Sequence, residues 1–209
     1  MNSNSAEIPP SAGGAESGDP FYAYKRSPSG PRCEFALRSE AIEWRAGWGG
    51  GRIAYADVRR MRLSLTTVKL ATDRFVAEIW PALGGKIVIA STSWKSMAEQ
   101  EPLDQAYGAF IGELHRRLLA AGSTATFEAG LPRWRYWPGL AVFVATSLVI
   151  AALTVLALNS GENAGALFVA VFLVFYLWRF GTYFRRNRPR TYRVDAPPSW
   201  LMPRPARAA

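Results

Sequence analysis

Few residues in this sequence are of types that could perform chemistry. His115 is the single histidine and Cys33 is the single cysteine. A zinc site of several histidines and cysteines, a disulfide within the chain and a histidine-based nucleophilic triad are therefore all difficult to assemble. We expect Cys33 to be a free structural thiol and His115 to be a surface or half-buried packing residue.

The glycine-rich stretch GWGGGR, residues 47–52, invites comparison with a phosphate-binding loop. It lacks the GxxxxGK[ST] spacing and stands between two predicted strands, so it offers no helix N-terminus to a phosphate. A hairpin turn is the better interpretation. Glu99, Glu101 and Asp104 precede a predicted helix, where negative charge is favourable, so we interpret them as capping residues and not as metal ligands. The sequence thus predicts no catalytic, cofactor-binding or metal-binding residue, no cofactor and no enzymatic activity.

The positive charge of the chain is concentrated in its last third. Residues 1–130 carry 15 Lys/Arg against 14 Asp/Glu, whereas residues 131–209 carry 10 against 2, within a total net charge of +9. A polyanion-binding domain would carry the excess itself. The nearly neutral first part therefore argues against a nucleic-acid-binding domain there.

The elements that must position any site follow from hydropathy patterns. Apolar and polar residues alternate over 33–45, 61–65, 74–80 and 86–92, and turn residues separate these runs. This period-two pattern predicts short antiparallel strands. An apolar face at Tyr107, Phe110, Ile111, Leu114 and Leu118 then predicts one amphipathic helix, with Gly122 at its C-terminal cap. Strands followed by one helix predict an α+β domain over residues 31–122.

A resemblance accompanies this pattern. The segment GRIAYADVRRMRL, residues 51–63, and the closing amphipathic helix resemble the pleckstrin-homology-like (PH-like) domains of bacterial membrane proteins. The resemblance implies a small bent barrel plugged by the helix, and an unrelated α+β domain is the alternative. It also implies that Arg45 and Arg52, which flank an early turn, are candidate contacts for a lipid headgroup or another ligand; solvated edge residues are the alternative. The fold does not by itself fix a ligand.

Two apolar runs predict membrane-spanning helices. Gly139 to Leu158 lacks charge and would extend about 30 Å, the thickness of the hydrocarbon core. A second run from Ala164 to Phe184 contains only Arg179 near its end. We expect Arg179 to extend towards the headgroups, and a functional intramembrane arginine is the alternative. The two runs predict a transmembrane hairpin.

The flanks of these helices predict the orientation, because cytoplasmic flanks are enriched in arginine and aromatic residues gather at the interface. Both ends are therefore expected in the cytoplasm, at the inner membrane if the protein is bacterial. The expected membrane-interface residues are Arg133, Trp134, Arg135, Tyr136, Trp137, Trp178, Arg179, Tyr183, Arg185, Arg186 and Arg188.

The expected organisation is a disordered leader (1–30), the cytoplasmic domain (31–122), a linker (123–136), a first membrane helix (137–158), an external loop (159–163), a second membrane helix (164–184) and a basic, disordered Pro/Arg-rich tail (185–209). The favoured hypothesis is an interaction or assembly module tethered to the anionic inner leaflet, with a protein partner of unspecified identity. One alternative is nucleic-acid binding by the tail, in which Tyr183, Phe184 and Tyr192 alternate with arginines. The other alternative is a lipid-related membrane enzyme or transporter subunit.

Overall fold

The computed structural model describes residues 18–69, 72–161 and 163–203. The strands are β1 (Phe21–Lys25), β2 (Arg32–Leu37), β3 (Ala41–Ala46), β4 (Gly49–Ala54), β5 (Val58–Lys69), β6 (Thr72–Pro81), β7 (Ile87–Ala90), β8 (Thr92–Trp94), β9 (Gln100–Pro102), β10 (Thr126–Ala129) and β11 (Arg190–Thr191). The helices are α1 (Asp104–Ala120), α2 (Arg133–Asn159) and α3 (Asn163–Arg186), and short 3-10 turns lie at Tyr55–Asp57 and Ser199–Leu201. The predicted α+β class is confirmed.

The strands form two main sheets that share one core. β1 to β4 make an antiparallel sheet in chain order, and the second sheet has the order β11-β10-β5-β6-β7. Within the second sheet only the β10–β5 pairing is parallel among the strands described. The Tyr22 hydroxyl donates to the Ala90 carbonyl at 2.6 Å, and the Tyr24 hydroxyl donates to Val88 at 2.7 Å. These bonds fasten the first sheet to the β7 edge of the second.

Helix α1 covers the core, as its apolar face predicts. Tyr107, Phe110, Ile111, Leu114 and Leu118 are all buried against the two sheets. The helix ends before Gly122, which adopts a φ of 61° and whose N–H donates to the Leu119 carbonyl at 3.0 Å. The predicted C-terminal glycine cap is therefore confirmed, since a left-handed conformation favours glycine.

Helices α2 and α3 pack side by side as an antiparallel pair, which we call the helical pair. Phe143 of α2 contacts Tyr176 and Phe184 of α3, each with ring centroids 5.4 Å apart. Both helices are long and apolar enough to cross a membrane, and their outward side chains, such as Leu148 and Phe168, are exposed. The expectation of two apolar helices is confirmed, although α2 begins at Arg133 and not at residue 137.

The structure differs from the expected leader and linker. Residues 21–25, placed by composition within a disordered leader, form β1 with Tyr22 and Tyr24 in the core; residues 1–17 lie outside the described residues. Residues 126–129 of the expected linker form β10, which buries Phe127. Both strands are short and lie among Ser, Gly, Thr and Pro residues, so composition concealed their alternation.

The C-terminal tail also differs from the expected disorder over the residues described. Asn187 and Leu201 are fully buried, and Tyr192 packs against the core. A tail rich in Pro and Arg contains too few apolar residues to show a period, but a single leucine and a single tyrosine suffice to fill gaps that the rest of the fold leaves. Residues 204–209 lie outside the described residues.

His115 holds this tail, and it is more buried than expected. Its exposed fraction is 3%, and its ring lies 5.8 Å from that of Tyr192. Nδ1 lies 2.8 Å from the Ile111 carbonyl oxygen, and Nε2 lies 2.9 Å from the Tyr192 hydroxyl. A carbonyl only accepts, so Nδ1 carries the proton and neutral Nε2 accepts from Tyr192. Burial lowers the pKa of His115 and raises that of Tyr192.

We predict that acidification destabilises the fold through His115. The unfolded histidine takes up a proton below its ordinary pKa of about 6.5, whereas the buried one resists protonation. Stability is therefore complete above that pH and falls as the pH decreases towards the lower folded pKa. Between pH 7.5 and 5.5 the loss is at most about 1.4 kcal/mol.

Thermal unfolding of the full chain in dodecyl maltoside at these two pH values measures the effect. His115→Gln retains an acceptor but does not titrate, so it should show a smaller difference between the two pH values than the wild type. An equal difference in both proteins would contradict the assignment to His115.

Candidate functional site

The segment that leads into α2 and the segment that leaves α3 are both hydrogen-bonded to the second sheet. The chain enters α2 directly from β10, and the Gly130 N–H donates to the Leu63 carbonyl of β5 at 2.7 Å. It leaves α3 at Asn187, whose Oδ1 accepts from the Leu65 N–H at 2.9 Å and whose backbone carbonyl accepts from the Leu131 N–H at 2.9 Å. One buried asparagine thus joins the sheet, the entry to α2 and the exit from α3.

Gly130 makes this junction sterically possible. Its φ is 84°, and a Cβ atom built there would lie 2.4 Å from the Asn187 carbonyl oxygen. Any other residue would be strained in this conformation and would displace the backbone of Asn187. The close approach of two backbone segments therefore requires glycine.

An ion pair supports the same junction from the other side. The Arg186 guanidinium, at the end of α3, pairs with Asp73 at the start of β6 and donates to the Trp200 carbonyl at 2.9 Å. Arg186 is an expected membrane-interface residue and the last residue of α3, and the sheet engages its charge. Arg186 therefore has a structural role.

The outward face of the second sheet is polar and aromatic. Arg60 lies opposite Trp80, and Arg62 lies opposite Glu78 on one side and Glu128 on the other. A register shift between Val58 and Arg60 keeps Val58 in the core while Arg60 faces outwards. The strands thus align a row of charged side chains around one tryptophan.

Two carboxylates on this face are already engaged. Arg62 Nε donates to Glu128 Oε2 at 2.9 Å, and Glu78 pairs with Lys86. Arg62 is only 11% exposed in its side chain and also lies 3.9 Å from Glu78. The four side chains form a neutral network, which holds Arg62 in position.

A groove of about 1240 Å³ lies between this sheet face and the base of the helical pair; we call it the junction groove. The base contributes the first turn of α2, with Tyr183 and Pro189 beside it. The charged residues that line the groove are Arg60, Arg62, Lys86, Arg133, Arg135, Arg190, Glu78 and Glu128. Six cations against two carboxylates leave an excess of four positive charges.

The excess belongs to Arg60, Arg133, Arg135 and Arg190. Within the described ranges no carboxylate forms an ion pair with any of them. The Arg60 guanidinium lies 4.1 Å from the centre of the Trp80 ring, but its buried Nε has no hydrogen-bond partner among the residues described. The Arg190 guanidinium lies 5.9 Å from the Trp200 ring. The groove therefore presents donors and positive charge that an anion could use.

The structure brings several expected interface residues into this groove and separates others. Arg133, Trp134, Arg135 and Tyr183 line it. Tyr136 is buried beside Phe184, with ring centroids 5.8 Å apart. The remaining expected interface residues lie elsewhere on the helical pair and its end: Trp137, Trp178, Arg185 and Arg188 are exposed, and Arg179 is half-buried.

Arg45 and Arg52 lie apart from the junction groove. Both are exposed on the outward face of the four-stranded sheet, on adjacent strands, where Arg52 lies opposite Glu43. Glu43 is itself paired with Arg38 at 2.8 Å. This pair of arginines stays a predicted ligand contact, and neither residue lines the junction groove.

Sequence reasoning missed the sheet half of the groove. Arg62, Trp80 and Lys86 fall within predicted strands and Arg190 within the expected disordered tail, so nothing in the sequence groups them with Arg60. One signal was present: Trp80 lies at the end of a predicted strand, on the same face as Glu78. A tryptophan on the polar face of a strand is unusual where that face contacts only water, and arginines are its common partners. Their convergence with Arg133 depends on strand order and was not readable from spacing.

The side chains of the groove are suited to binding an anion. They include guanidiniums, one ammonium, engaged carboxylates, aromatic rings and the hydroxyls of Ser64, Thr66 and Thr191. In the part of the chain described, no group of three potential metal ligands converges. Comparisons with protein-family models, with curated proteins and with solved structures gave no match to this chain. The functional conclusion therefore rests on geometry and charge.

We predict that Gly130→Ala destabilises the protein by about 2 kcal/mol or more, because the new methyl group meets the Asn187 carbonyl and the left-handed φ is strained. Gly112→Ala is the matched control, since a Cβ at Gly112 in α1 meets nothing within 4 Å. The control should be neutral or up to about 1 kcal/mol more stable. Thermal unfolding in dodecyl maltoside measures both, and equal stability of the two variants would contradict the close approach at Gly130.

Proposed function

We propose that this chain is a two-span integral membrane protein that holds a non-enzymatic interaction or assembly module rigidly at the inner leaflet. One observation carries the proposal: the segment before α2 and the segment after α3 are hydrogen-bonded to the same sheet and, at Asn187, to each other. A domain on a flexible linker would need no such bonds. A domain fixed in this manner offers a constant surface at a constant height above the bilayer.

The orientation is argued from charge. Arginines lie at the start of α2 and at the end of α3, next to the domain. The loop at residues 159–163, which joins the other ends of the two helices, contains no arginine or lysine. Short basic flanks remain on the cytoplasmic side. The folded domain and both termini are therefore assigned to the cytoplasm.

The PH-like resemblance is supported by the arrangement of the elements. Strands β1 to β4 and strands β5 to β7 form two antiparallel runs in chain order that share one core, and α1 follows them and covers it. A small bent barrel plugged by a helix requires such an order. Strands β10 and β11, which flank the helical pair, are additions that fasten this domain to the membrane segment.

The contacts of the tail favour a membrane function over nucleic-acid binding. The Tyr192 ring packs between His115 and Phe127, with centroids 5.8 and 5.7 Å away. The Phe184 ring packs on Phe143. A base would have to displace these contacts in order to stack, whereas a membrane surface requires no such rearrangement.

We predict opposite accessibility of the loop and of the domain. Ser160→Cys should react with a membrane-impermeant maleimide in intact spheroplasts of a bacterial host, and Glu40→Cys should react only after permeabilisation. The wild type, whose only thiol Cys33 is 7% exposed, sets the background. Labelling of Glu40→Cys in intact spheroplasts would reverse the orientation and contradict the cytoplasmic assignment.

We also predict that the domain does not swing relative to the helical pair. Spin labels at Leu83→Cys, in the β6–β7 turn, and at Trp137→Cys, near the start of α2, should give one narrow distance distribution in lipid nanodiscs. Six-residue Gly/Ser insertions after Gly130 and after Arg188 should broaden it, since they separate the bonded segments. A broad distribution in the protein without insertions would exclude rigid seating.

A further inference from the structure

The unpaired cations of the junction groove come from three distant parts of the sequence. Arg60 lies on β5 and Arg190 on β11, whereas Arg133 and Arg135 lie in the first turn of α2. Two walls of different origin thus place like charges around one cavity. The like charges repel one another unless an anion lies between them.

We propose that the junction groove binds the phosphate group of an anionic phospholipid drawn from the leaflet on which the domain sits. The proposal rests on the membrane seating proposed above. Guanidinium groups suit phosphate oxygens because their planar donors engage two oxygens at once. The Arg60 guanidinium lies over the Trp80 ring and forms no ion pair with a carboxylate within the described chain, so its charge is available to a phosphate.

The neutral network within the groove explains why Arg62 is not the main anion ligand. Glu128 and Glu78 already surround its guanidinium, and Lys86 holds Glu78. These four side chains form a floor that fixes Trp80, over whose ring the Arg60 guanidinium is held at 4.1 Å. The network therefore positions Arg60 while leaving its charge available.

The aromatic residues at the groove identify its surroundings. Trp134 lines the groove and is 75% exposed, and Trp137 follows it with 62% exposed. Exposed tryptophans at the start of an apolar helix are typical of the headgroup region of a bilayer. The mouth of the groove thus lies at the depth of the lipid phosphates. A lipid phosphate reaches it from within the leaflet, whereas a soluble phosphate ester would have to enter from bulk water.

The size of the groove also suits a lipid headgroup. Its volume of about 1240 Å³ exceeds what a bare phosphate would fill, and the wall contributed by Tyr183 and Pro189 is partly apolar. A phosphate esterified to a glycerol backbone would use both the cations and this wall. We therefore assign the site to the whole headgroup of a lipid and not to an inorganic anion.

The test compares two triple variants of equal charge change. The groove variant is Arg60→Gln, Arg133→Gln and Arg190→Gln, which leaves the Arg62 network intact. The control variant is Arg26→Gln, Arg32→Gln and Arg59→Gln, three exposed arginines of the domain that do not line the groove. Thermal unfolding first establishes that both variants are folded.

Binding is measured on the full chain in dodecyl maltoside by native mass spectrometry at fixed ammonium acetate concentration. The probes are dioctanoyl phosphatidylglycerol, dioctanoyl phosphatidylcholine and glycerol phosphate. Wild type and control should bind phosphatidylglycerol equally, and the groove variant should bind it at least about tenfold more weakly, since each lost cation weakens attraction to an anionic lipid. Phosphatidylcholine and glycerol phosphate should bind the wild type about tenfold more weakly than phosphatidylglycerol does.

Three outcomes would overturn the proposal. Equal losses in the groove and control variants would show attraction to total charge, and a loss confined to the control variant would assign lipid binding to the surface of Arg26, Arg32 and Arg59. Glycerol phosphate binding as tightly as the lipid would assign the groove to a soluble phosphate ester. The maleimide and spin-label experiments do not depend on lipid binding, so failure of this proposal is distinguishable from failure of the proposed seating.

Discussion

The buried hydrogen bonds of Asn187 are the constraint on which the rest of this structure depends. Where a chain passes from a sheet into apolar helices, its backbone donors and acceptors leave both the sheet ladder and water, and each unpaired group costs about 1–3 kcal/mol. Asn187 resolves this by accepting from Leu65 and Leu131, and Gly130 allows the two segments to approach closely enough. These bonds join the domain to both helices of the helical pair.

The junction groove follows from that attachment. Because β10 pairs with β5 before the chain enters α2, the first turn of α2 stands beside the outward face of the sheet. Arginines that flank an apolar helix then face arginines of β5 and β11. The same residues therefore flank this helix and contribute to a local excess of positive charge, and no added domain is needed to create the site.

The C-terminal tail completes the domain and does not simply trail from it. His115, on the helix that covers the core, accepts from Tyr192, and Leu201 enters the core beyond it. The segment after the second apolar helix thus returns to the sheet through Arg190–Thr191 and to α1 through Tyr192. This return closes the chain around the junction, so that the residues before α2 and after α3 stabilise each other.

The sequence by itself determined the elements whose periods are long and regular: the strands within residues 33–45, 61–65, 74–80 and 86–92, the amphipathic helix with its Gly122 cap, and the two apolar helices with their arginine flanks. It assigned residues 47–52 to a hairpin turn, whereas Gly49–Ala54 form β4, because a run of glycines shows no alternation. It failed for β1, β10 and the tail, because four or five residues within a Gly-, Ser- or Pro-rich context show too little alternation to be recognised. It also yielded only the helix half of the candidate site. The rest depended on tertiary structure, because the pairing of β10 with β5 brings Arg60 beside Arg133, and a contact between residues so distant in sequence arises from strand order and the bonds of Asn187.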